Sequence, residues 1–152
     1  MATLPAYRLE NLNGEKIASP DAEQALICFI KEDCPTCKEV MPVLEAFFAR
    51  FGSTIPVHII GQTSQGNAAL AQQFSPTFSI LDDSALQVSF AADIETVPTL
   101  VLTDAGNEQS SRLVGFVKEE WQALATNLSV QLDVDAPQLD WPALPDWRPG
   151  CG

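Results

Sequence analysis

Two cysteines three residues apart, Cys34-Pro35-Thr36-Cys37, are the residues of this chain best suited to chemistry. If a helix begins at the first, its sulfur sits among unpaired backbone N–H groups at the positive end of the helix dipole, and both favour a thiolate. The second cysteine then lies one turn deeper, within reach of a disulfide formed at the first. The spacing describes an exposed attacking sulfur and a recessed resolving one. Pro35 suits a first helical turn, where its missing N–H costs little. The pair could also be half of a tetrahedral zinc site, which needs two further ligands. Only Cys28, His58 and Cys151 are available as soft or imidazole donors, and none forms a second close pair. Redox chemistry is the better reading, with no metal and no cofactor.

The flanking residues supply the elements that would hold this pair. Ala25-Leu-Ile-Cys-Phe-Ile30 is an unbroken apolar run, the pattern of a strand covered on both faces. Beyond the motif, Val40, Leu44, Phe47 and Phe51 recur at helical spacing, with Pro42 inside and Gly52 placed to stop the helix. Asn13-Gly14 predicts an early hairpin. Ile55–Ile60 predicts another strand, Ser64 a helix cap, 77–81 a short strand, and Asp82 the cap of a helix burying Leu86 and Phe90. A hairpin over 99–116 and a helix from Lys118, carrying Trp121, Leu124 and Leu128, complete the series. Alternating strands and helices closed by a hairpin predict an α/β domain with a mixed sheet.

The chain has 152 residues, enough for one well-buried domain. Its 8 Lys and Arg against 20 Asp and Glu leave a net charge of −12. That excess repels phosphate backbones and anionic lipid, so no nucleic acid and no membrane is expected as partner. The opening Met1–Arg8 has no basic and apolar regions of a signal peptide, and the expected location is cytoplasmic. Composition changes after Leu132: the segment 133–152 is rich in Pro and Trp and shows neither period 2 nor 3.6. We therefore divide the chain into a domain, 1–132, and an extended tail or linker, 133–152.

With these residues assembled, the sequence resembles the thioredoxin superfamily, in particular the TlpA-like branch that grades into the AhpC/TSA-like, peroxiredoxin-like sequences. The resemblance covers about residues 5–130. It rests on Cys34–Cys37 after a buried strand, Pro42 eight residues on, Val97-Pro98-Thr99 before the closing hairpin, and Gly115 before the last helix. It implies a three-layer α/β/α thioredoxin-like fold with a central mixed sheet, and a cis peptide at Pro98 beside the cysteines. The backbone of Val97 would then pair with an extended substrate segment, with Pro35 and Thr36 completing the substrate contacts. The implied activity is thiol–disulfide exchange on protein or small-molecule disulfides, in the reductive direction, recharged by a reductase or small thiol.

Some positions depart from the family. Asp33 stands where a Trp is usual, and its carboxylate opposes a thiolate at Cys34, with Lys31 or Lys38 as a possible offset. Cys28 stands where thioredoxins proper bury an Asp that assists the second cysteine; it reads as a small core residue, leaving proton handling to water, Glu32 or another group. Cys34-Pro35-Thr36 also matches a peroxidatic motif, but Lys31 occupies the position of the Thr or Ser that orients peroxide. An interaction module on the same scaffold is the remaining alternative. Within the tail, Cys151 between two glycines is the open question. An extended chain from residue 132 spans roughly 60 Å, so the tail could pack on the surface, carry Cys151 to Cys34 as an auxiliary thiol, or link to a further module.

Overall fold

The computed structural model describes residues 3–152; Met1 and Ala2, part of the opening segment that lacks the pattern of a signal peptide, lie outside the described residues. Seven strands form one mixed sheet. They are β1 (Arg8–Glu10), β2 (Lys16–Ala18), β3 (Gln24–Phe29), β4 (Val57–Gly61), β5 (Ile80–Asp82), β6 (Thr99–Asp104) and β7 (Gln109–Val114), in the order β2-β1-β5-β4-β3-β6-β7. The apolar run is inner strand β3, parallel to β4 and antiparallel to β6. Ala25 through Ile30 are all within 1% of complete burial, which is why the run shows no alternation. Asn13-Gly14 lies in the turn that joins antiparallel β1 and β2.

Helix α1 (Pro35–Phe51) starts on Cys34 as its N-cap, with Pro35 in its first turn, and stops at Gly52, whose N–H donates to the Phe48 carbonyl at 2.8 Å. Its buried stripe runs Cys37, Val40, Met41, Val43, Leu44, Phe47, Phe51. Helix α2 (Ser64–Phe74) is capped one residue earlier than the sequence suggests. Thr63, not Ser64, accepts from the Gly66 N–H at 2.9 Å, because Thr63 keeps extended backbone while Ser64 is already helical. Helix α3 (Gln87–Ala91) corrects a second expectation. Asp82 closes a local turn onto Ser84, and it is Asp83, buried, whose carboxylate accepts from the N–H groups of Val88 and Ser89. The N-cap position itself is Leu86, in left-handed backbone at φ 58°; Val88 faces inward, and Leu86 and Phe90 lie outside, Phe90 at 85% exposure.

Helix α4 (Lys118–Leu132) begins with Glu119 and Glu120, charges that suit the positive end of its dipole. Trp121 on α4 is fully buried between Phe47 and Phe116, and its indole N–H donates to the Gly115 carbonyl at 3.1 Å. Trp121→Ala should therefore cost about 3–5 kcal/mol, a large share of the roughly 5–15 kcal/mol that holds a domain folded. Urea unfolding followed by circular dichroism checks this; a loss below about 1 kcal/mol would mean that the cavity collapses without cost.

Beyond α4 the chain turns back through Asp133, in left-handed conformation at φ 54°, and packs against the domain. Arg50 donates to the Ala136 carbonyl, Trp141 packs on Phe47, and Leu139 and Leu144 lie on the core. Lys118 holds the segment from both ends: its backbone N–H and its ammonium engage Asp146, and the ammonium also donates to the Leu144 carbonyl. Strand β9 (Trp147–Arg148) then pairs antiparallel with β8 (Phe116–Val117).

Candidate active site

Cys34 stands at the junction of β3 and α1, where the extended strand gives way to the helix and the N-cap position exposes the first-turn N–H groups. Facing it is the loop before β6, in which the Val97–Pro98 peptide is cis. The loop is held from within, since the Thr99 hydroxyl donates to the Thr96 carbonyl at 2.6 Å and the Gly115 N–H to the Pro98 carbonyl at 2.8 Å. The Cys34 sulfur lies 3.6 Å from the Val97 carbonyl oxygen.

The groove between these elements is filled by the chain's own tail. Cys151 forms a disulfide with Cys34, closing a sequence separation of 117. Its backbone pairs with Val97 in both directions: Val97 N–H to the Cys151 carbonyl at 2.9 Å, and Cys151 N–H to the Val97 carbonyl at 2.7 Å. The Thr36 hydroxyl donates to the Pro149 carbonyl at 2.6 Å, and the Lys31 ammonium to the Gly152 carbonyl at 2.7 Å. Arg148 pairs with Glu39 on α1 at 3.2 Å. Gly115, at φ 69°, gives the tail its room, for a Cβ there would stand 3.2 Å from the Arg148 carbonyl oxygen.

Lys31, Thr36 and Val97 thus converge on one groove with Cys34 and Cys151. Pro98 lies in the loop that faces it, Cys37 is buried one turn into α1, and Pro35 stands exposed in the first turn, away from the tail's contacts. Asp33 sits at its rim, side chain 76% exposed, 3.7 Å from the Lys31 ammonium. One expectation needs correcting: Cys34 is not an open sulfur here but fully buried, because Cys151 and its neighbours cover it. Cys37 is also buried, and its sulfur accepts from the Lys31 N–H at 3.5 Å. Burial pushes the Cys37 thiol up to about 12; the Lys31 N–H and charge pull it down and Asp33 adds to the rise. Cys28 is a free thiol with no exposure, raised by burial and then by Cys37.

Glu32, a candidate for proton handling, leans against Gly66 at the start of α2. His58 hydrogen-bonds the Tyr7 hydroxyl on the sheet, and burial lowers its pKa. Among the described residues no group of three or more His, Cys, Asp or Glu is placed to hold a metal ion. Sequence reasoning missed Glu39, Thr96 and the wall made by Gly115. The signal for Glu39 was available in part: it lies one turn after Thr36 on the same helical face, and Arg148 lies three residues before Cys151.

A mixed central sheet with flanking helices and the Cys34-Pro-Thr-Cys37 sequence at the head of the first long helix define a member of the thioredoxin superfamily. The family described as TraF, F plasmid transfer operon protein, matches residues 9–117, and the chain belongs to it. Solved structures agree on the fold. A provisionally assigned thiol:disulfide interchange protein DsbE from Chlorobium tepidum superposes with a TM-score of 0.76 at 17% identity, covering 86% of this chain and 95% of that one. A thiol-disulfide oxidoreductase from Bacteroides fragilis gives 0.68 at 17%, covering 86% and 100%. StoA from Bacillus subtilis gives 0.64 at 22%, covering 80% and 98%. No curated protein matches the sequence.

Proposed function

We propose that the protein is a thiol–disulfide oxidoreductase whose nucleophile is Cys34 and whose resolving thiol is Cys37. The observation that carries this reading is a cysteine-bearing peptide strand, the chain's own, seated against Val97 and bonded through sulfur to Cys34. In the reaction, Cys34 thiolate attacks one sulfur of a substrate disulfide, a Cys34–substrate bond forms, and the other substrate sulfur leaves as a thiolate and takes up a proton. Cys37 then loses its proton and attacks Cys34. The Cys34–Cys37 bond forms and the second substrate thiol leaves; two electrons have passed from the dithiol to the substrate.

Reduction of protein or small-molecule disulfides in the cytoplasm, with a reductase or small thiol as electron donor, is the direction we infer. A reduction potential for Cys34 and Cys37 below about −220 mV supports it, whereas one near the roughly −120 mV of strong oxidants reverses the direction. The mechanism itself is tested by Cys37→Ser. This variant should accumulate mixed disulfides at Cys34 with insulin chains and lose multiple turnover, while turnover at the original rate would exclude Cys37 as the resolving thiol.

A further inference from the structure

We propose that Arg148–Gly152 is a built-in occupant of the peptide groove, with Cys151 and Cys37 alternating as the sulfur bonded to Cys34. The segment also states what the groove accepts: an extended peptide with glycine just before its reactive cysteine and a cation three residues before it. This rests on the reading of Cys34 as the nucleophile of disulfide exchange.

Each position of the segment meets a matching feature. The paired hydrogen bonds between Val97 and Cys151 set the register, so that only the residue opposite Val97 presents its sulfur to Cys34. Gly150 precedes it against the loop, where a Cβ would run into the Thr96 methyl and stand 2.7 Å from the Val97 carbonyl oxygen. A side chain is therefore refused at that position by backbone, which cannot swing aside. Pro149 offers only a carbonyl, and the Thr36 hydroxyl takes it. Arg148 meets the carboxylate of Glu39, and the Gly152 carbonyl meets Lys31. The contacts read backbone and small size on one side of the cysteine and charge further away.

The tether makes this occupant competitive. Lys118–Asp146 and the β8–β9 pairing fix the chain just upstream of the groove, so Cys151 faces Cys34 at an effective concentration on the order of millimolar. The exchange is an internal rearrangement. Cys37 loses its proton and bonds to Cys34, the Cys34–Cys151 bond breaks, and Cys151 leaves as a thiolate and takes up a proton. No electrons are gained or lost, and the reverse step restores the bond to the tail. An external disulfide is attacked by Cys34 once the reductase or small-thiol donor has reduced the protein by two electrons, leaving the thiols of Cys34, Cys37 and Cys151, and the tail has left the groove.

The test uses full-length protein carrying Cys37→Ser and Cys151→Ser, in which Cys34 reacts once and stays bonded. Its substrate is the peptide acetyl-Arg-Pro-Gly-Cys-Gly-amide, activated on cysteine with thionitrobenzoate, whose release is followed by absorbance. Replacing the peptide's glycine before cysteine by valine, or its arginine by glutamate, should each slow the reaction at least about tenfold. In the otherwise native chain, with a thiol reductant present and its uncatalysed rate subtracted, Cys151→Ser should raise turnover of the thionitrobenzoate-activated parent peptide at micromolar concentration by at least about tenfold. Peptide mapping of the oxidised native chain should find both Cys34–Cys151 and Cys34–Cys37. Equal rates for all three peptides, with Cys34 still reacting with Ellman's reagent, overturn the inferred selectivity and leave the oxidoreductase reading intact. Unchanged turnover in Cys151→Ser, or no Cys34–Cys151 peptide, overturns the built-in occupant. A Cys34 inert to Ellman's reagent and to every peptide overturns this inference together with the reading beneath it.

Discussion

Serine in place of Cys34 should reduce the turnover of disulfide substrates to the rate of the reductant alone. A hydroxyl cannot form the sulfur–sulfur bond on which exchange depends, and at neutral pH it is not ionised by an N-cap environment that only shifts a thiol. The expected loss is at least about a thousandfold, comparable to deletion of other covalent nucleophiles. The fold should survive, because the tail keeps its contacts from Thr36, Lys31, Glu39 and Val97. Stability should still fall by about 2–4 kcal/mol, since a bond closing so long a loop restricts the unfolded chain. Insulin turnover and urea unfolding measure the two quantities separately. Retained activity in Cys34→Ser would remove the nucleophile from the mechanism.

The second large effect is in pH. Starting from the Cys34–Cys151 bond, transfer to Cys34–Cys37 requires Cys37 as a thiolate, and its thiol is pushed up to about 12 by burial. Far below that value the thiolate fraction grows tenfold per pH unit, so the first-order rate should rise about a thousandfold between roughly pH 7 and 10. The groups that bear on Cys37 are the Lys31 N–H and ammonium, which favour the thiolate, Asp33, which opposes it, and the uncharged Cys28 behind it. Asp33→Asn should therefore speed the transfer a few-fold at fixed pH. Acid quenching, alkylation and peptide mapping report the rate; a profile that levels off by pH 8 would mean that Cys37 ionises near neutrality. Linkage has a definite sign here. Because the folded value lies above the unfolded one, the folded state holds the extra proton above about pH 9, and stability falls as pH rises through that window. Below it Cys37 contributes nothing to the pH dependence.

Local pattern and tertiary placement divide cleanly in this chain. Where burial is set by one element against the sheet, residue order carried the answer: the continuous run at Ala25–Ile30, the Val40–Phe51 stripe and Asn13-Gly14 all lie in the elements their patterns predict. Caps are decided by one residue's backbone angles, which adjacent Ser, Thr and Asp side chains cannot distinguish by type. Hence Thr63 rather than Ser64; before the helix over 87–91 the N-cap position falls to Leu86, in left-handed backbone, and Asp83 rather than Asp82 reaches the first-turn N–H groups from further back. The helix over 87–91 shows the same limit, since its Leu86 and Phe90 match a buried face in spacing but lie outside.

The cysteine pair and its place between a buried strand and a helix could be read from residue order alone, because each depends on neighbours within a few positions; the cis proline beside it, more than sixty positions away, came only from the family resemblance. What the tail does could be read from neither. Its residues have no period, and their partners, Val97, Thr36, Glu39 and Lys31, lie some fifty to one hundred and twenty positions away. Chain length permits many routes over the surface, and only the packed domain, with a glycine-walled slot beside Val97 and a carboxylate at its edge, selects the one that brings Cys151 to Cys34.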